Sequence, residues 1–174
     1  RSLAQAATQW GVPPEDAVVR LVAEEAAAVS AVFFSLSEDD LAAIMESDRV
    51  AVGSDGAALA GAGEGSATHP RAYGTFPRVL GHFVRERKML PLETAVYKMT
   101  GLPAERLGLR DRGRIAAGCA ADLVLFDPVA VADTATFERP RSYPEGIRLV
   151  MVNGRVAAQE GRVTAERAGR VLRR

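Results

Sequence analysis

The chain has 174 residues, enough for one ordinary domain or for two parts of a larger one. Hydrophobic residues make up 48% and charged residues 25%, and the 22 basic residues balance the 22 acidic ones, which excludes a disordered or fibrous chain and gives no charge basis for binding nucleic acid. A single cysteine excludes an internal disulfide framework, and no apolar run reaches the length of a membrane span, so we expect a cytoplasmic protein that binds neither membrane nor nucleic acid.

The first third of the chain alternates helical and strand-like patterns. It opens on a helical pattern without an initiator Met, so we expect it to begin partway through a longer protein. Apolar spacing predicts a helix over 13–28, and Ser37 before three acidic residues predicts an N-capped helix over 38–46. The short apolar runs 31–36 and 50–53 indicate buried strands. This order predicts an α/β fold with a parallel sheet.

The rest of the chain changes character twice. Residues 56–68 are rich in Gly and Ala without periodicity and indicate a loop, and helical patterns then follow. Strand patterns dominate after residue 113, where Asn153-Gly154 predicts a hairpin turn. The predicted helices are 76–88 and 92–100, with a break at 101–103, and the predicted strands are 123–126, 147–152 and 155–158. Residues 128–146 carry no clear element.

Several stretches, in order, carry a specific pattern. They read VAVGSDG at 50–56, THPRAYGTFPRVLGHFVRER at 68–87, KMTGLPA at 98–104, DRGRIAAGCAADLVLFD at 111–127 and VNGRV at 152–156. Together they resemble the D-aminoacylase branch of the amidohydrolase superfamily, over roughly residues 13–174. The resemblance implies the C-terminal part of a (β/α)8 TIM barrel over 1–112, with a lid-like loop at 56–70, and a small β-rich domain with a C-terminal tail over 113–174.

Asp55 is the catalytic candidate. In the resembled family the aspartate that ends strand eight lies at the mouth of the barrel beside one or two zinc ions, and Asp55 matches that position. A carboxylate there can take the proton of an attacking water and return it to the departing nitrogen. The alternative is a turn or helix-cap aspartate, because Ser-Asp-Gly is common in turns.

Three further residues are candidates for binding a small-molecule N-acyl amino acid. Arg71 matches a family residue that holds the substrate carboxylate, a task suited to the planar donors of a guanidinium. His69 could line the mouth and Tyr73 the acyl pocket. The alternatives are a solvated arginine and an aromatic that packs under the loop.

The metal ligands of the resembled enzymes come from a His-x-His pair, a cysteine and further histidines on earlier strands. None of these is expected in this chain. His69 and His82 are thirteen residues apart, which matches no local metal-ligand spacing. His82 is interpreted as a packing or hydrogen-bonded residue, and Cys119 as a small buried residue of the β-rich domain.

The resemblance implies hydrolysis of N-acyl-D-amino acids by a longer, zinc-dependent parent protein. Two alternatives stay open. Another metal-dependent amidohydrolase could act on a cyclic amide or on N-acyl-D-glutamate or N-acyl-D-aspartate. A non-catalytic fragment is the other, because two barrel strands cannot close a barrel and would leave exposed sheet edges.

Overall fold

A computed structural model describes residues 2–59, 61 and 68–172. The chain divides into two compact units, Arg1–Ser35 and Leu36–Arg174. Residues 60 and 62–67 of the predicted lid-like loop, and the last two residues of the predicted tail, lie outside the described residues. The two units do not test the predicted domain boundary at residue 112, which stays a prediction.

The first unit is a helical pair, α1 (Leu3–Trp10) and α2 (Pro14–Glu24). Ser2 and Gln5 form a capping box at the start of α1, and Gly11 ends that helix with a φ of 65°. The Arg20 guanidinium lies over the Trp10 ring, 4.4 Å from its centroid. The predicted helix 13–28 is confirmed for the range that α2 covers.

The second unit begins with helices that build its core. Ser37 caps α3 (Glu38–Glu46), as predicted, and its Oγ accepts a hydrogen bond from the Asp40 amide at 3.0 Å. The next helix starts five residues earlier than predicted, as α4 (Arg71–Arg78), and continues as a π-helix, Val79–Glu86. Then come α5 (Leu92–Met99) and α6 (Gly101–Leu107). The most buried residues of this core are Met45, Val79, Phe83 and Ala95.

Lys98 connects α5 to the segment that leads to Asp55. Its side chain is buried, and Nζ donates to the carbonyl oxygens of Ser47 and Val50. The Val52 amide donates to the Lys98 carbonyl at 3.0 Å. Lys98 therefore holds both the end of α3 and the chain that follows it. Among the described residues, no helix has the length and apolar character needed to cross a membrane.

The strands form one antiparallel sheet in the order β1-β2-β3-β4. They are β1 (Leu123–Phe126), β2 (Ile147–Val152), β3 (Arg155–Gln159) and β4 (Arg162–Val163). The predicted hairpin is confirmed, since Asn153 and Gly154 have φ angles of 49° and 78°, which a type I′ turn requires. Strand residues 123–126 and 147–152 agree with the sequence prediction.

A polar cluster fastens this hairpin to the preceding chain. The nearly buried Arg112 side chain pairs with the Asp122 carboxylate, and its Nη2 donates to Oδ1 of Asn153 at 2.6 Å. Asp122 also accepts the Asn153 amide at 2.7 Å. Asn153 in turn donates to the Ala168 carbonyl at 2.6 Å. The hairpin, the segment before β1 and the chain near residue 168 are thereby joined.

The predicted strands 31–36 and 50–53 are wrong for this structure. Neither segment belongs to a strand in the structure, and Phe33, Phe34 and Leu36 are each more than 80% exposed. A strand needs a neighbour for its backbone hydrogen bonds, and the strands of the described chain all lie within 123–163 and pair among themselves. A short apolar run indicates that a segment tends to be buried, but it does not identify the strand with which the segment would pair.

Candidate active site

Asp55 lies in a segment without regular secondary structure that follows α3. Its φ of 46° falls in the left-handed region, where Asp is tolerated better than most residues. Gly56 passes so close to α4 that an added Cβ would lie 2.8 Å from the Cα of Ala72. The carboxylate is 87% exposed and is therefore open to a reactant.

Arg71 is the first residue of α4 and faces this carboxylate. Its Nη2 lies 3.0 Å from Oδ2 of Asp55. Both side chains are exposed, so the pair adds little to stability. Its importance is geometric, because it brings an acid–base group and a cationic fork of donors to the same place.

His69 lies next to Arg71 and is oriented by it. The Arg71 amide donates a hydrogen bond to His69 Nδ1 at 3.1 Å. Burial lowers the pKa of His69, the Arg71 charge lowers it further, and the Asp55 charge opposes them. A ring that accepts at Nδ1 is neutral and keeps its proton on Nε2.

Tyr73 points away from this cluster. It lies two positions beyond Arg71 on α4, which places the two side chains on different faces of the helix. Its hydroxyl donates to the Gly61 carbonyl, and its ring lies 5.8 Å from that of Tyr143. The structure therefore brings Asp55, His69 and Arg71 together and directs Tyr73 elsewhere.

The described residues do not form a zinc site. No group of three or more His, Cys, Asp and Glu side chains among them could hold a metal ion, whereas a catalytic zinc needs three protein ligands. His82 Nδ1 lies 2.9 Å from Oε2 of Glu86 on the same helix. Cys119 is partly buried in a turn, where its amide donates to the Ala116 carbonyl.

Two aromatic residues near the site were missed by the sequence analysis. Phe137 meets His69 edge-on, with ring centroids 5.2 Å apart, and Tyr143 meets Tyr73. Both belong to 128–146, where no element was predicted. The sequence offered only an aromatic side chain within the polar run Thr-Phe-Glu-Arg, a weak signal because single apolar residues are common on protein surfaces.

A pocket of about 140 Å³ lies on the sheet, away from Asp55. Its lining, which includes Tyr143, Ile147, Val150 and Val163, is almost wholly apolar. It offers no acid–base group for hydrolysis. We therefore place the candidate active site at Asp55 and Arg71.

The chain belongs to the amidohydrolase family, whose model matches residues 3–158. Within that family it is similar to the D-aminoacylase of Alcaligenes xylosoxydans xylosoxydans, with 45% identity over the whole chain. The chain spans 34% of that relative's length.

Two solved structures are similar over the whole chain. One is a D-aminoacylase with a binuclear metal centre, at 42% identity and a TM-score of 0.85, of which the chain covers 35%. The other is the N-acyl-D-glutamate deacylase of Bordetella bronchiseptica, complexed with zinc and a phosphonate that mimics the tetrahedral intermediate, at 38% identity and a TM-score of 0.84, with 34% covered. The expected D-aminoacylase resemblance is thus confirmed.

Proposed function

We propose that the whole protein to which this chain belongs hydrolyses the amide bond of N-acyl-D-amino acids to a D-amino acid and a carboxylate. The observation that carries the proposal is the placement of an exposed Asp55 carboxylate 3.0 Å from the Arg71 guanidinium. The similarity to a D-aminoacylase supports it. We also propose that residues 1–112 belong to the family's TIM barrel and 113–174 to its small β-rich domain, and that the protein is cytoplasmic.

Asp55 would move the proton during hydrolysis. As general base it removes a proton from the attacking water while the oxygen bonds to the amide carbon. The protonated carboxyl then gives the proton to the nitrogen as the carbon–nitrogen bond breaks. Its exposure leaves room for water and substrate. We infer one or two zinc ions, held by ligands outside this chain, which when bound make water a stronger nucleophile.

Arg71 would hold the carboxylate of the substrate. One of its five N–H donors faces Asp55, and the others can form the paired hydrogen bonds that a second carboxylate accepts. The amide to be cut would thereby be placed near Asp55. His69 would line the same side of the site. Tyr73 would line the acyl pocket together with the neighbouring ring of Tyr143.

A substrate panel tests this proposal on the whole protein. We expect N-acetyl-D-leucine to be hydrolysed and its L-enantiomer to be spared, with release of the free amino acid as the measurement. Cleavage of a cyclic amide and of no N-acyl amino acid would contradict the proposal.

N-acyl-D-glutamate and N-acyl-D-aspartate are the second candidate substrates. The similarity to an N-acyl-D-glutamate deacylase favours them. They carry a second carboxylate, which needs a second cationic partner. A kcat/KM for N-acetyl-D-glutamate well above that for N-acetyl-D-leucine would select this alternative.

A further inference from the structure

Residues 128–146, which we call the strap, lie across α4 and the π-helix. A Cβ on Gly74 would overlap the Asp133 carboxylate, and a Cβ on Gly81 would lie 2.6 Å from the Val131 carbonyl oxygen. Glycine alone allows such an approach. The Arg85 guanidinium also donates to the Val131 carbonyl. The base of the strap is therefore fixed to the helix that carries Arg71.

The tip of the strap is a closed turn that presents Phe137. Ala132 and Glu145 exchange two backbone hydrogen bonds, of 3.3 and 3.1 Å. Nearer the tip, the Thr136 amide donates to the Arg139 carbonyl at 3.2 Å, and the Arg139 amide donates to Thr136 Oγ1 at 3.0 Å. Phe137 lies between these two residues, so its backbone has a defined position.

Phe137 connects the strap to the candidate site through His69. The two rings are 84° apart and their centroids are separated by 5.2 Å, an edge contact of favourable geometry. His69 Nδ1 accepts the Arg71 amide, and the Arg71 side chain faces Asp55. A continuous series of contacts therefore runs from the strap to the carboxylate.

We propose that Phe137 is a positioning residue for Arg71, acting through the imidazole of His69. This inference rests on the proposed function. The phenyl ring restricts the imidazole to the orientation in which Nδ1 faces the Arg71 amide. Loss of the ring would free the imidazole to rotate, so the start of α4 and the guanidinium would be less well fixed before substrate binds.

A double-mutant cycle in the whole protein tests the inference. We expect Phe137→Ala to raise the KM for N-acetyl-D-leucine at least about five-fold with kcat within about two-fold, because Arg71 binds the ground state and the transition state alike. Phe137→Tyr, which keeps the ring, should behave as wild type. In a His69→Ala background, Phe137→Ala should change KM no further.

The control is Phe126→Ala, since Phe126 lies in β1 and is partly exposed. It removes a phenyl ring and leaves the contact between Phe137 and His69 in place, so we expect KM to stay unchanged. If Phe137→Ala raised KM equally in the wild-type and in the His69→Ala background, the inference would be overturned. A fall in kcat at constant KM would overturn it as well.

A readout that needs no activity separates this inference from the proposed function. In protein labelled with ¹³C-histidine, the His69 ring resonance is identified by its loss in His69→Ala. Phe137→Ala should shift that resonance, and Phe137→Tyr should leave it close to the wild-type position. An unmoved resonance would refute the contact. Failure of the wild-type protein to hydrolyse any N-acyl-D-amino acid would refute the proposed function instead.

Discussion

Arg71 and Asp55 illustrate what single residues contribute. Their 3.0 Å contact could not be predicted from spacing, because sixteen positions separate them and the residues between include a Gly- and Ala-rich stretch without periodicity. Both residues were identified as candidates because the motifs around them resemble those of the family. The edge contact of Phe137 with His69 could not be named in that way, because it depends on the path of a segment without regular structure.

Arg71→Ala should weaken substrate binding. A charge-assisted hydrogen bond to a carboxylate contributes about 1.5–3 kcal/mol, so KM should rise roughly 10- to 100-fold with a smaller change in kcat. Steady-state kinetics of the whole protein provide the measurement. Arg155→Ala is the control, because Arg155, in β3, makes a comparable exposed ion pair with Glu166. Equal KM values for the two variants would contradict the assigned role.

Among the secondary-structure elements, those that were predicted correctly have local sequence signals. Ser37 and the acidic turn after it specified α3, and Asn153-Gly154 specified the hairpin, since each signal acts within a few residues. The runs 31–36 and 50–53 failed because a strand depends on a partner elsewhere in the chain. The early start of α4 was missed because Pro70 and Pro77 obscured the helical pattern.

Lys98→Met should destabilise the core around α3 and α5. The substitution leaves the Ser47 and Val50 carbonyls without their buried donor, at a cost of about 1–3 kcal/mol. Chemical denaturation measures the change. Lys88→Met is the control, since Lys88 is the other lysine of the chain and is exposed. Equal free energies of unfolding for the two variants would show that these hydrogen bonds contribute nothing.

Asp122 should make the stability of the second unit depend on pH in the acid range. Burial raises its pKa, but the Asn153 amide and the Arg112 guanidinium outweigh burial, so its pKa in the folded state is lowered. The stability that it contributes is complete above its ordinary pKa of about 4 and is lost as the pH falls through the lower folded value. Asp122→Asn should therefore be less stable than wild type at pH 7. The difference should narrow below pH 4, and a gap that widens there would contradict the assignment.

Two observations concern the molecule as a whole: its exposed apolar residues, and the share of its relatives' length that it covers. Phe33, Phe34 and Leu36 are each more than 80% exposed in a segment outside the described strands, and the chain spans about a third of the length of the relatives that it matches. The described strands form one four-stranded antiparallel sheet, whereas a barrel requires further strands.

Isolated as 174 residues, the chain should bind less than one equivalent of zinc and hydrolyse no N-acyl-D-amino acid. The described residues supply no set of three ligands. Metal analysis after gel filtration, with an activity assay on the same sample, makes the measurement. An active, zinc-loaded fragment would show that the ligand set lies within this chain.

The kcat of Asp55→Asn in the whole protein, compared with that of Asp48→Asn, tests the proposed role of Asp55 most directly. Asp48 is an exposed aspartate in the turn after α3, so its substitution controls for loss of charge. Loss of proton transfer by Asp55 should lower kcat for N-acetyl-D-leucine by roughly 10²- to 10⁴-fold, while Asp48→Asn should match wild type. Full turnover in Asp55→Asn would contradict the assignment of Asp55 as the group that transfers the proton.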